Sequence, residues 1–220
     1  MQIAQYIDHS YLKPDCTESI IDRLIEETRE FGFKAICIPP MYLQYAKEKA
    51  GERNFLLCTV AGFPIGYDHV ASKLASISRS AEIGADEVDV VINLSAVKTN
   101  HFDFTKRELT AFHETGKAKN VTIKCIIEAQ LLTQEEILRI CDISNALGLD
   151  YVKTSTGFFG EPVQEDIVRL LRRHLNPSIH IKASGGIHQY SQALQMIRAG
   201  ADRIGCSQSV NIVKETIAAS

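Results

Sequence analysis

No run of this chain is long and apolar enough to cross a bilayer; the longest, such as residues 88–94, is interrupted by an acid. Neither sign of charge dominates. The 24 lysines and arginines face 27 aspartates and glutamates, for a net charge of −3. That balance argues against nucleic acid or an anionic membrane as partner. The six cysteines (Cys16, Cys37, Cys58, Cys125, Cys141 and Cys206) form no CxxC or CxxH spacing. A structural zinc site is therefore not expected, and buried reduced thiols are. Residues 1–8 lack a charged region followed by a hydrophobic stretch, so no signal peptide is expected and the cytoplasm is the expected compartment. No linker or low-complexity segment divides the chain, which reads as one domain over residues 1–220.

What the chain does have is a repeat. Short apolar runs at residues 6–8, 35–38, 56–61, 87–92, 122–127, 151–154, 180–183 and 203–205 read as strands. Amphipathic stretches lie between them. Residues 19–31 place Ile20, Leu24, Ile25 and Thr28 on one side, with Thr17 as N-cap and Gly32 as terminator. Residues 133–147 repeat the plan, with Thr133 and Glu136 spaced for a capping box and Gly148 closing. The phrases Gly32-Phe33-Lys34-Ala35, Gly84-Ala85-Asp86-Glu87, Gly148-Leu149-Asp150-Tyr151 and Gly200-Ala201-Asp202-Arg203 recur where helix gives way to strand. Eight such units predict an α/β fold, a single-domain (β/α)8 TIM barrel. An open doubly wound sheet is the alternative, but no GxGxxG turn follows the first strand.

Two lysines interrupt apolar strands: Lys153 in Tyr151-Val152-Lys153-Thr154-Ser155-Thr156-Gly157, and Lys182 in Ile179-His180-Ile181-Lys182-Ala183-Ser184-Gly185-Gly186. Burial disfavours an ammonium, and an amine freed of its proton attacks carbonyl carbon. Strand parity puts Asp89 on one face with Glu87 and Val91, and Lys124 on one face with Thr122, Ile126 and Glu128. These charges could simply neutralise one another inside a small barrel. Ionisable groups on four successive strands point instead to a functional cluster, since apolar fillers would serve stability as well. Schiff-base chemistry is the reading that uses both lysines.

A second constellation follows the last strands. Ser184-Gly185-Gly186 and Gly205-Cys206-Ser207-Gln208-Ser209 each stand between a strand and a helical segment, where barrels commonly hold phosphate. Thr156-Gly157 could add a hydroxyl and an amide. Each glycine pair alone could be only a tight turn; together they favour a phosphosugar.

Over nearly its whole length the chain resembles the 2-deoxyribose-5-phosphate aldolases, a family of class I, Schiff-base aldolases. The resemblance is carried by Gly84-Ala85-Asp86-Glu87-Val88-Asp89-Val90-Val91-Ile92-Asn93, Lys153-Thr154-Ser155-Thr156-Gly157-Phe158 and Lys182-Ala183-Ser184-Gly185-Gly186-Ile187. Ile7-Asp8-His9-Ser10-Tyr11-Leu12-Lys13-Pro14, Ala61-Gly62-Phe63-Pro64 and Lys124-Cys125-Ile126-Ile127-Glu128 support it. It implies that Lys153 forms the imine, that Lys182 perturbs it and that Asp89 relays protons. It implies substrate or phosphate contacts at Thr156, Gly157, Gly185, Gly186 and Ser207, with Lys124, Asp8, Ser10 and Cys37 lining the same pocket. No metal and no cofactor are implied, and a homo-oligomer, a dimer, is the expected assembly.

Three positions depart from the family: Ala129-Gln130 follows Glu128 where threonine is common, Pro39 replaces a frequent asparagine, and the eighth-strand loop lacks the usual serine pair. These changes bear on phosphate affinity more than on the lysine chemistry. Two rivals remain: a phosphosugar isomerase or synthase on the same barrel, and a phosphosugar-binding barrel without catalysis.

Overall fold

A computed structural model describes residues 2–218, so Met1, Ala219 and Ser220 of the expected domain lie outside the described residues. The chain forms eight parallel strands: β1 (Ile7–Ser10), β2 (Ala35–Cys37), β3 (Leu56–Ala61), β4 (Glu87–Val91), β5 (Thr122–Ile126), β6 (Tyr151–Lys153), β7 (His180–Ser184) and β8 (Arg203–Cys206). They close in sequence order, with β8 pairing back onto β1. Outside run helices α1 (Glu18–Phe31), α2 (Leu43–Ala50), α3 (Val70–Ile83), α4 (Leu94–Lys98), α5 (Phe102–Lys119), α6 (Gln134–Leu147), α7 (Glu165–His174), α8 (Tyr190–Ala199) and α9 (Ser209–Ala218). This is the expected (β/α)8 barrel. None of the described helices is long and apolar enough to cross a membrane.

The recurring glycine phrase has a double use. Gly32, Gly84, Gly148 and Gly200 end helices α1, α3, α6 and α8 with positive φ, where a side chain is strained. In three of the four, an aspartate two residues later (Asp86, Asp150, Asp202) then binds the neighbouring strand. Asp86 Oδ2 accepts from Leu57 N at 2.7 Å, and Asp202 Oδ2 from Ile181 N at 2.8 Å. Those three units thus carry both a helix stop and the polar clasp that sets the next strand beside the last.

The helical shell and the outward strand faces form one core, including Ile36, Leu57, Val88, Val90, Ile123, Val152, Ile181 and Ile204, all at most 2% exposed. The barrel interior holds a much smaller apolar set, Ala35, Cys37, Cys58 and Val60. Its remaining volume is taken largely by charged side chains, with Val91 and Ile126 beside them, where branched aliphatics are usual in such barrels.

Two local expectations change. Helix α1 begins at Glu18, and Thr17 occupies the cap position without a capping bond, its hydroxyl lying 2.9 Å from Ser19 Oγ instead. Ile21, not Ile20, joins Leu24, Ile25 and Thr28 as the fully buried face. The box on α6 forms as expected: Glu136 N donates to Thr133 Oγ1 at 3.2 Å, and Thr133 N to Glu136 Oε2 at 2.6 Å. Replacing Thr133 by alanine should lower the unfolding free energy by about 1 kcal/mol in urea titrations. An unchanged midpoint would show that tertiary packing alone holds that helix start.

Candidate active site

Barrel closure brings the predicted charges to one carboxylate. Asp89 on β4 pairs in register with Lys124 on β5, while Lys153 on β6 pairs with Lys182 on β7. All point inward by strand parity. Asp89 Oδ2 accepts from Lys153 Nζ and Lys182 Nζ, each at 2.7 Å. Asp89 Oδ1 accepts from Lys124 Nζ at 3.1 Å and from Cys58 Sγ at 3.2 Å. The second tier is as tightly paired. Lys124 Nζ reaches Glu87 Oε2 at 2.7 Å, Lys182 Nζ lies 2.5 Å from Asp8 Oδ2, and Arg203 bridges Asp8 and Glu87.

Burial alone would push these carboxyls up and the ammonium groups down; the charge contacts win. Against the burial penalty, Lys124, Lys153 and Lys182 hold the Asp89 carboxyl well below its usual range. Asp8 and Asp89 hold the Lys182 ammonium well above its ordinary value, and Asp89 and Glu87 do the same for Lys124. Asp8 and Glu87 likewise fix the Arg203 charge. Three carboxylates (Asp8, Glu87, Asp89) are therefore matched by three permanent cations (Lys124, Lys182, Arg203) before Lys153 is counted.

Lys153 is also the member of this set that lines the mouth pocket, a cavity of about 340 Å³. Thr156, Gly157, Gly185, Gly186 and Ser207 stand in its wall with Ser10. Gly185 and Gly186 have φ of 103° and 70°, and a Cβ on Gly186 would come within 2.4 Å of Pro162. Bare backbone is required there. Gly205 leaves room for its neighbours: a Cβ would lie 3.0 Å from Lys182 Cε and 2.3 Å from Ser184 Oγ. Thr156 donates its hydroxyl to Glu128 Oε2 at 2.6 Å, so that side chain is held by a buried acid.

Three expected pocket-lining residues do not line it. Asp8, Cys37 and Lys124 are wholly buried beneath the floor, where the ion pairs and the inner apolar cluster consume them. The sequence reading missed Arg203 and Cys58 as members of the network, and Lys13 and His188 as titratable groups of the pocket wall. Arg203 opens β8 beside Ile204, and the same parity argument that singled out Asp89 would have found it. Cys37, Cys58 and Asp89 bring donor atoms within metal-binding reach of one another. The cation among these donors is the Lys124 ammonium, 3.5 Å from Cys58 Sγ and 3.1 Å from Asp89.

A family model described as DeoC/LacD family aldolase matches residues 2–213. The deoxyribose-phosphate aldolase of Macrococcus caseolyticus is 42% identical over 214 residues, covering 97% of this chain and 96% of the relative. That of Enterococcus faecalis is 38% identical over 213 residues, covering 97% and 96%. Among solved structures, the aldolase QR15 superposes with a TM-score of 0.92 at 34% identity, covering 98% of this chain and 96% of its own. The deoxyribose phosphate aldolase of Aeropyrum pernix, described as a unique tetramer, gives 0.89 at 32% identity, covering 99% and 92%.

The network sets a pH signature. Although burial opposes it, Lys182, Arg203 and Lys124 lower the Asp8 carboxyl from 3.8 to about 2. A carboxyl depressed in the fold adds stability above its unfolded pKa and loses it as pH falls through the folded one. The stability gap between wild type and Asp8→Asn should thus be widest above pH about 4 and close between about 4 and about 2 in urea unfolding. A gap independent of pH would mean that Asp8 is not ionised in the fold.

Proposed function

The chain belongs to the DeoC/LacD family of aldolases, and on that premise we propose that it cleaves 2-deoxy-D-ribose 5-phosphate reversibly to D-glyceraldehyde 3-phosphate and acetaldehyde. The observation that carries this reading is the position of Lys153: joined to Asp89 at 2.7 Å below and open to the pocket above. The work belongs to carbohydrate and deoxyribonucleotide catabolism in the cytoplasm.

The uncharged Lys153 amine attacks the C1 aldehyde of the open-chain sugar, and loss of water leaves a protonated imine. Proton loss from the C3 hydroxyl sends its electron pair into a carbonyl, and the C2–C3 bond pair flows to the iminium nitrogen. Glyceraldehyde 3-phosphate departs, leaving an enamine. Protonation at C2 and hydrolysis of the imine then release acetaldehyde and restore the amine. The iminium is the electron sink, so the scheme calls for no metal or cofactor.

Asp89, bonded to both Lys153 and Lys182, is the relay for these protons. Its depressed pKa makes it a poor place for a proton to rest, which suits a group that passes protons on. Thr156, Gly157, Gly185, Gly186 and Ser207 take the sugar phosphate and its hydroxyls, the bare glycine backbone allowing close approach. Self-association, expected as a dimer, belongs to the same proposal; light scattering will distinguish one, two and four copies.

Acetaldehyde with borohydride should leave an N-ethyl group on Lys153, found by peptide mass mapping. A label on Lys182 instead would reverse the two roles. Lys153→Leu should reduce acetaldehyde release from the phosphosugar to trace, and turnover above trace would refute the covalent route. Isomerase turnover without trapping would favour the acid–base rival.

A further inference from the structure

A buried ion pair outside the central network lies under the Ala61-Gly62-Phe63-Pro64 segment, which the imine chemistry leaves unused. Lys73 of α3 and Glu108 of α5 are paired at 2.9 Å with both side chains fully buried. The Lys73 ammonium also donates to Gly66 O at 2.5 Å, in the turn after β3, and to Val91 O at 2.9 Å, the last residue of β4. Glu108 accepts from Asn93 N at 2.8 Å through its other oxygen. One charge pair therefore ties the β3 turn to the end of the strand that carries Asp89.

The fit is close on both sides. A Cβ on Gly62 would come 2.9 Å from Lys73 Cε, and one on Gly66 would come 2.2 Å from Ile92 O. Between those glycines stands Phe63. Its ring centroid lies 5.9 Å from Lys153 Nζ, and it meets Phe158 of the β6 loop edge-on at 5.3 Å. Below, it packs on the inner cluster of Cys37, Cys58 and Val60, and Cys58 in turn donates to Asp89. The ring thus spans the barrel mouth from β3 to β6.

We propose that the Lys73–Glu108 pair is a positioning device that holds Phe63 across the mouth beside Lys153, shielding the Asp89 carboxylate from water. Neither residue touches substrate; both act through the turn. Shielding keeps the charge contacts beneath strong, and sub-ångström placement governs attack at the carbonyl. Helix packing by itself would be served as well by apolar side chains, so the charges are retained for the three backbone groups they bind.

The inference rests on Lys153 as the imine-forming amine, and the experiment separates the two. Wild type, Lys73→Met, Glu108→Gln, Phe63→Ala and the double variants Lys73→Met/Phe63→Ala and Glu108→Gln/Phe63→Ala are compared for Tm, kcat and KM in phosphosugar cleavage, and borohydride trapping with acetaldehyde. The Lys73 and Glu108 variants should lower kcat by about ten- to a hundredfold. KM should move by about twofold or less, because neither Lys73 nor Glu108 bonds the glycine loops assigned to phosphate. Each double variant should be no slower than Phe63→Ala. Should Lys73→Met fail to fold, Glu108→Gln closes the same cycle. A wild type that does not trap acetaldehyde removes the premise. A wild type that traps, with a lowered Tm but unchanged kcat in Glu108→Gln, or with multiplicative losses in the double variant, overturns the positioning role alone.

Discussion

The interior of this barrel is organised around a single carboxylate. Asp89 is wholly buried and accepts from three lysines that arrive on three different strands. An unpaired charge at such depth would cost far more than a hydrogen bond is worth, so each contact is obligatory once the aspartate is there. The contacts are also wholly non-local: Asp89 and Lys182 stand 93 residues apart in sequence. They exist only after β4 to β7 have closed side by side. Stability therefore cannot originate in the network. It originates in the aliphatic shell between strands and helices, which is large and continuous. The shell supports the interior, and the interior is left free for chemistry.

Depth along the barrel axis sorts the charged groups by task. Arg203, with Glu87, sits at the closed end, where both also border a cleft on the opposite face with Tyr151 and His180. Above them Lys124 and Lys182 bind Asp89 from two sides, and Lys153 alone of the set continues into the mouth pocket. Each lower group has its charge fixed by opposite neighbours at 2.5–3.1 Å. A group whose partners are all rigid and buried has little freedom to change protonation or position. Pre-organisation of this kind is most valuable when reacting charges appear and vanish above it.

The eight strands were legible because each apolar run is short and four of them follow a glycine phrase; observed ends fall within one residue of expectation except at β1, which runs two residues past its expected end. Asp89, Lys124, Lys153 and Lys182 were legible for a related reason. A charge flanked by valine or isoleucine in a strand breaks the pattern, and parity then assigns its face. The division between floor and wall was not legible. Asp8 and Ser10 share a face of β1, yet Asp8 is consumed by Lys182 and Arg203 while Ser10 reaches the pocket. Depth depends on strand stagger around the closed barrel, which no strand encodes by itself. Lys73 and Glu108 escaped notice because charges on amphipathic helices ordinarily face water. Their burial arises from α3 packing against α5 beside the β3 turn, whose Gly66 carbonyl Lys73 binds, a tertiary event without a local signature.

The charge balance of the floor also bears on the imine proposed at Lys153. Were the network short of positive charge, a protonated imine on Lys153 would complete it and rest in a stable ion pair with Asp89. The three acids are already matched by Lys124, Lys182 and Arg203, so an iminium charge on Lys153 would arrive without a counterion of its own. Its most direct relief is to draw in the electrons of the neighbouring C2–C3 bond and become a neutral enamine. The same balance would then favour the neutral product of bond cleavage. That arrangement would raise the iminium, and the enamine-forming transition state, in which the charge is already dispersing, would be raised less. A barrel packed with leucine and isoleucine would hold its shape equally well, but it would offer the nitrogen no such gradient.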